Sequence, residues 1–189
     1  SNGQFTPAKP VIPKPSLMGI GTGVLQLQDL AADGRKQVVV NSPGLNGYFE
    51  LSDDNGWESF LAFEQIANVD LRDPNTRLLD LNGDGQPEIV ITEERVFSWY
   101  PAAGIKGYDA PELAPKPFDE EQGPAIVFAD SSQSIFLADM SGDGLTDIVR
   151  IRNGEVCYWP NLGYGRFGSK VTMENSPWFD SSNQFNPAY

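Results

Sequence analysis

The feature that most limits how this chain can fold is a loop that occurs three times in one register. LQDLAADGRKQVVV (27–40), LLDLNGDGQPEIVI (78–91) and LADMSGDGLTDIVR (137–150) share one pattern: an apolar residue, Asp, an apolar residue, Asp-Gly, then β-branched aliphatics. The leading aspartates Asp29, Asp80 and Asp139 are separated by 51 residues (29 to 80) and 59 residues (80 to 139). Each unit is therefore larger than a hairpin and smaller than a domain, and such self-similarity governs every later step.

Within a unit the sequence reads strand, tight loop, strand, turn, strand. In the third, Ile135 to Met140 approach the loop and Ile148 to Arg152 leave it. Asn153-Gly154 is a strong two-residue hairpin signal, and Glu155 to Trp159 return. The repeat extends past the loop, because Trp99-Tyr100-Pro101 and Tyr158-Trp159-Pro160 both follow their leading aspartate by 19 to 21 residues. Only Trp57 to Asn68 could be a helix, and its aromatics suit a strand as well. The expected fold is all-β, built of β-propeller blades with about four strands each, since one twisted sheet cannot bury both faces and stacked sheets can. The units fall near 16–70, 71–125 and 126–189, after an extended entry segment over 1–15 marked by Pro7, Pro10, Pro13 and Pro15. Ser1-Asn2 reads as a tag-removal scar. Closed propellers use four to eight blades, so three units imply an incomplete or oligomer-completed ring whose open edges favour self-association.

A tight loop can offer a hard cation such as calcium alternate side-chain oxygens plus one backbone carbonyl. The second unit presents Asp80, Asn82, Asp84, the carbonyl of Gln86 and the carboxylate of Glu88. The third presents Asp139, Ser141, Asp143, the carbonyl of Leu145 and Asp147. Gly85 and Gly144 follow the third ligand, where the chain must turn sharply. An EF-hand would need a bidentate glutamate at position 12 and flanking helices; Ile91 and Arg150 stand there instead, within strands. The first unit has Ala31 and Gln37 at two ligand positions, leaving Asp29 and Asp33, and is expected to bind calcium weakly or not at all. The competing reading is that Asp, Asn and Gly only favour turns through local hydrogen bonds. Two structural calcium ions are favoured for units two and three, and plain turn chemistry for unit one.

A hydrophobic content of 40% with 11% aromatics supports a folded protein. The formal charge of −13 repels nucleic acid and anionic lipid. No apolar run is long enough to span a membrane, and no charged-then-apolar leader opens the sequence. The single cysteine, Cys157, excludes an internal disulfide; it falls in a strand whose counterpart in unit two is Ser98 and reads as a core thiol. With no histidine at all, histidine-dependent triads and imidazole bases are excluded. Glycosidase-type carboxylate pairs stay open, although the loop carboxylates are better explained as ligands. GYGRFG (163–168) lacks the Lys-Ser/Thr of a phosphate loop and reads as a glycine-assisted turn with Phe167 entering the core.

The DxNxDGxxE and DxSxDGxxD loops together with CYWPNLGYGRFG (157–168) resemble the FG-GAP/VCBS repeats of integrin-like β-propellers. LADMSGDGLTDIVRIRNGEVCYWPNLGYGRFG followed by Gln184-Phe185-Asn186-Pro187 is similar, more narrowly, to the propeller region of the B component of bacterial insecticidal toxin complexes, the SpvB-like family. The resemblance runs from about Ser16 to the end. It implies a secreted, non-catalytic, calcium-stabilised module that serves as scaffold, gate and docking surface for the pore-forming A component, in a protein whose B part joins a C component. The degenerate first loop departs from the pattern. A rival reading is a lectin-like or carbohydrate-active propeller using Trp99, Tyr100, Tyr158 and Trp159 as stacking platforms; their recurrence at one blade position favours packing instead.

Overall fold

A computed structural model describes residues 7, 8, 10, 15, 24–53, 56–129 and 134–178. Most of the 1–15 entry segment, and the Gln184 to Pro187 string, lie outside the described residues. Among those described, the chain is all-β, with one short 3-10 turn at Gly104–Lys106 and twelve strands in three separate four-stranded antiparallel sheets. Sheet one holds β1 (Leu25–Gln28), β2 (Gln37–Ser42), β3 (Leu45–Phe49) and β4 (Leu61–Ala62). Sheet two holds β5 (Thr76–Leu79), β6 (Glu88–Thr92), β7 (Val96–Tyr100) and β8 (Glu112–Pro115). Sheet three holds β9 (Ile135–Ala138), β10 (Asp147–Arg152), β11 (Glu155–Trp159) and β12 (Val171–Thr172). Each sheet is a meander in chain order.

The repeat is kept residue for residue. Val39 pairs with Tyr48, Val90 with Trp99 and Val149 with Tyr158. Beyond the third strand an isolated bridge closes a further loop in each unit, Leu51 with Trp57, Ala102 with Tyr108 and Asn161 with Phe167. These positions again lie 51 and 59 residues apart, so register is preserved through both strand pairing and the loop that follows.

Strand alternation turns the repeat into layers. Val39 and Tyr48 of sheet one meet Ile89 and Tyr108 of unit two in one core, which Leu30 and Phe63 complete. Val90, Phe97 and Trp99, from the opposite face of sheet two, meet Ile148, Cys157 and Trp159 of sheet three. The central strand β6 is thus covered on both faces, which is why its sequence is a continuous aliphatic run rather than an alternation. Val38 and Val40 point to the far side of sheet one, with Leu25, Phe49, Trp57 and Phe60.

Between sheets two and three the connection is clamped by charge. Arg150, nearly fully buried on β10, donates to Glu120 at 2.7 Å and to Glu155 at 3.0 Å, and its guanidinium lies over the Trp159 ring. The Trp159 indole N–H donates to the Glu120 carbonyl at 2.7 Å. The Arg150 side chain holds the Glu120 carboxyl at about 2.

The Trp57 to Asn68 stretch contains no helix: only Leu61–Ala62 pair as a strand. Trp57 is drawn to the far core of sheet one and Phe63 to the core between sheets one and two, and an extended chain reaches both. Strand β9 ends two residues earlier than expected, at Ala138, because the Met140 amide turns to the Asp147 carboxylate. No helix among the described residues is long and apolar enough to cross a membrane.

Candidate cation-binding loops

The three loops join the first and second strands of their sheets and share one internal hydrogen-bond scheme. In loop two the Asp80 carboxylate accepts from the Gly83 amide at 2.7 Å and the Gly85 amide at 2.9 Å. Asp139 does the same with Gly142 and Gly144, at 2.7 and 3.0 Å. In loop one Asp29 accepts from Asp33 and Gly34, at 3.1 and 2.7 Å. The second carboxylate of each loop, Asp33, Asp84 or Asp143, accepts the amide two residues on, at 2.8 to 2.9 Å. These are Asx-type turns. The backbone is left-handed at Gly83, Gly85, Gly142, Gly144 and Gly34, and also at Ala32, with φ of 52°, where a side chain is disfavoured.

Position nine is the floor of the loop. Gln37, Glu88 and Asp147 are all buried, and each accepts the amide that follows the leading aspartate: Leu30 at 2.9 Å, Leu81 at 2.7 Å and Met140 at 2.9 Å. This anchor is made whether the residue is neutral or charged. Sequence reasoning assigned Glu88 and Asp147 to metal alone and gave Gln37 no role. The signal available was a polar residue recurring at the mouth of an aliphatic strand.

The charged anchors differ from one another. Glu88 uses one oxygen for Leu81, and its other oxygen accepts from the Asn82 amide group at 3.1 Å, on the side facing Asp84. Burial pushes the Glu88 carboxyl up to about 7; the Leu81 amide opposes this, and the charges of Asp84 and Asp80 add to it. Asp147, with no exposed surface, accepts three amides, Met140 and Ser141 on one oxygen and Asn161 on the other at 2.8 Å. Asn161, from the WPNLG segment, thereby ties the loop that follows β11 to the Asp loop.

Among the described residues no three Asp, Glu or Cys side chains gather as a ready metal site. A cation here would therefore draw on amide, hydroxyl and main-chain oxygens beside two or three carboxylates. Loop two fits that demand: its donors are all oxygen, as a hard dication prefers, and its carboxylates are close enough to raise Glu88. Asp80, Asn82, Asp84, the Gln86 carbonyl and Glu88 would hold the ion, which would supply positive charge at the head of the hairpin. In loop three an ion would rest more on Asp139, Ser141, Asp143 and the Leu145 carbonyl, because Asp147 is engaged by the backbone.

Other candidates resolve by position. Cys157 is buried in β11, and burial raises its thiol; it pairs with Arg150 as Ser98 pairs with Ile91. Trp99 and Trp159 lie in the core between sheets two and three, so they are not the stacking platforms the lectin-like reading requires. Gly165 sits directly against the Trp99 ring, and Phe167 packs on Phe97 at 5.4 Å, as expected for GYGRFG. The sequence reading missed that Trp57, Tyr108 and Phe167 are one repeated residue, each closing the bridge beyond its third strand, with Trp57 packed on the outer side of sheet one, Tyr108 against sheet one and Phe167 against sheet two.

No protein-family model and no curated protein matches this sequence. Solved structures do. A chain of the Photorhabdus luminescens Tc holotoxin pore superposes with a TM-score of 0.70 at 25% identity, over 95% of this chain and 8% of that one. The crystal structure of TcdB2–TccC3 without its hypervariable C-terminal region gives 0.45 at 19% identity, covering 82% of this chain and 7% of that one. That of TcdB2–TccC3 gives 0.46 at 14%, covering 82% and 13%. The chain thus spans less than a tenth of the length of the holotoxin chain that it resembles.

Proposed function

We propose that this chain, whose fold is like a region of a Tc toxin-complex protein, is a secreted, non-catalytic β-propeller segment of a B-type component. In this reading it acts as scaffold, gate and docking surface toward the pore-forming A component, beside a C component. The observation that carries the reading is the superposition with the holotoxin chain across nearly the whole length. The layered meanders support it, since sheet two offers one face to sheet one and the other to sheet three, as a blade does. Further units of the same kind would cover the two outer faces, supplied by the same polypeptide or by a second copy.

Calcium in loops two and three stabilises the segment in this account, offsetting the burial of the Glu88 carboxylate and the neighbouring charges of Asp84 and Asp80. Function in this reading resides on the surfaces that the sheets support; the sequence has no histidine for an imidazole-dependent triad, and Cys157 is buried. The test is binding of the complete B-type protein to a purified A-type pore component, measured by light scattering and electron microscopy. Association through the propeller end that contains this segment is expected. Normal association after deletion of residues 24–178 from an otherwise folded protein would sink the docking role.

A further inference from the structure

In units two and three the loop after the third strand turns over the Asp loop of the unit before it. Gly104, after β7, lies against loop one, with the Leu30 carbonyl 2.8 Å from where its Cβ would be. Gly163, its equivalent after β11, stands over the Leu81 carbonyl of loop two at 3.8 Å. The same main-chain bonds hold both turns. The Ala103 amide donates to the Gly107 carbonyl and the Leu162 amide to the Arg166 carbonyl, each at 2.8 Å, and the Gly107 and Arg166 amides reach back to the Gly104 and Gly163 carbonyls at 3.1 and 3.2 Å. Two fixed tips therefore project from neighbouring sheets, at the edge that carries the Asp loops.

Each tip holds a large apolar side chain out to solvent with a cation beside it. Ile105 is 53% exposed and the exposed Lys106 follows it; Tyr164, in register with Ile105, is 69% exposed, between Leu162 at 56% and the exposed Arg166. Neither Lys106 nor Arg166 pairs with a carboxylate among the described residues, whereas Arg35, Arg72, Arg150 and Lys170 all do. Tyr164 is also strained. Its φ is 54°, between Gly163 at 81° and Gly165 at 69°, a conformation that bulky side chains rarely adopt and that glycine or asparagine would fill at lower cost. Nothing within the chain offsets this, since the ring makes no aromatic contact or hydrogen bond among the described residues.

We propose that the two tips form a docking surface for a protein that offers an apolar pocket rimmed by carboxylates, with Tyr164 and Leu162 entering the pocket and Arg166 and Lys106 meeting the rim. Strain held at an exposed aromatic points to a contact made outside the chain, and tyrosine and arginine are among the residue types that dominate such contacts. Because main-chain bonds already fix both turns, little ordering remains to be done on binding. The sign of the rim follows from the unpaired cations. The class of partner follows from the exposed Asp84 and Asp143 in the loops beneath, whose charge repels the uniformly anionic surface of nucleic acid or an acidic bilayer. The assignment rests on the docking role proposed above and names the residues that perform it.

The test is the affinity of the complete B-type protein for a purified A-type pore component, with thermal melts of each variant alongside. Tyr164→Asn should weaken binding at least tenfold while melting at or above the parent's temperature, because asparagine tolerates the left-handed backbone. Lys106→Glu combined with Arg166→Glu should also weaken it at least tenfold and flatten its dependence on salt. If the parent does not bind at all, the docking role falls and this assignment with it. If the parent binds and these variants bind equally well, the tips alone are overturned. A Tyr164→Asn protein that melts well below the parent would make the ring structural and overturn the proposal. So would binding of the parent to phosphatidylserine vesicles or duplex DNA that the charge-reversed variant loses, in favour of a lipid or nucleic-acid partner.

Discussion

Loops one and two fold alike and differ in the charge of the side chain on their floor. Both are closed by a leading aspartate over two amides and floored by a buried side chain accepting the next amide. Loop two places a third carboxylate on that floor, where its charge is disfavoured; loop one places the neutral Gln37 there. The difference teaches that shaping the turn and attracting a cation are separable tasks. The aspartates and glycines do the first in all three units, and we propose that position nine decides the second.

The largest effect should come from removing the floor where it bears most. Asp147→Ala leaves three amides without an acceptor and should cost about 3 to 5 kcal/mol, whereas Gln37→Ala orphans one and should cost about 1 to 3 kcal/mol. Urea unfolding of the two variants measures both, and equal losses would break the comparison. Next, Glu88→Gln keeps the shape of loop two while giving it loop one's electrostatics. The metal-free variant should be at least as stable as the parent, and the calcium-dependent gain at that loop, about 2.7 kcal/mol at a hundredfold excess over Kd, should disappear.

Proton linkage sharpens the same point. In the metal-free chain the Glu88 carboxyl titrates near 7, above its usual 4.5. Its contribution to stability is therefore full below about pH 4.5 and is lost as pH rises through 7. Thermal melts in chelator should show this decline, and Glu88→Gln should lack it; bound calcium, favouring the carboxylate, should reverse the slope. The smallest effect is conformational: Ala32→Gly removes a side chain from a left-handed position and should stabilise loop one by up to about 1 kcal/mol.

Much of this molecule could be read in its sequence because the repeat fixes register. Once Asp29, Asp80 and Asp139 are aligned, β11 and the Asn153-Gly154 turn follow from β-branched runs and turn chemistry. The layering was visible only as aliphatic runs, since whether Val90 faces one sheet or another depends on neighbours distant in the chain. The Arg150–Glu120 clamp joins residues 30 apart with no local pattern. Trp57, Tyr108 and Phe167 recur at one position, yet their different side chains conceal the equivalence until the bridges beneath them are seen. In the loops, ligand spacing was legible, but the anchoring role of position nine was not, because a buried carboxylate bonded to amides and one facing a cation have the same letter.

The most direct test of the account is calcium calorimetry paired with thermal melts of the parent chain and Glu88→Gln. The account predicts two ions per parent chain and one for the variant, with calcium raising the melting temperature of the parent further. Absence of calcium uptake by the folded parent chain, with melting unchanged between chelator and calcium, would contradict it.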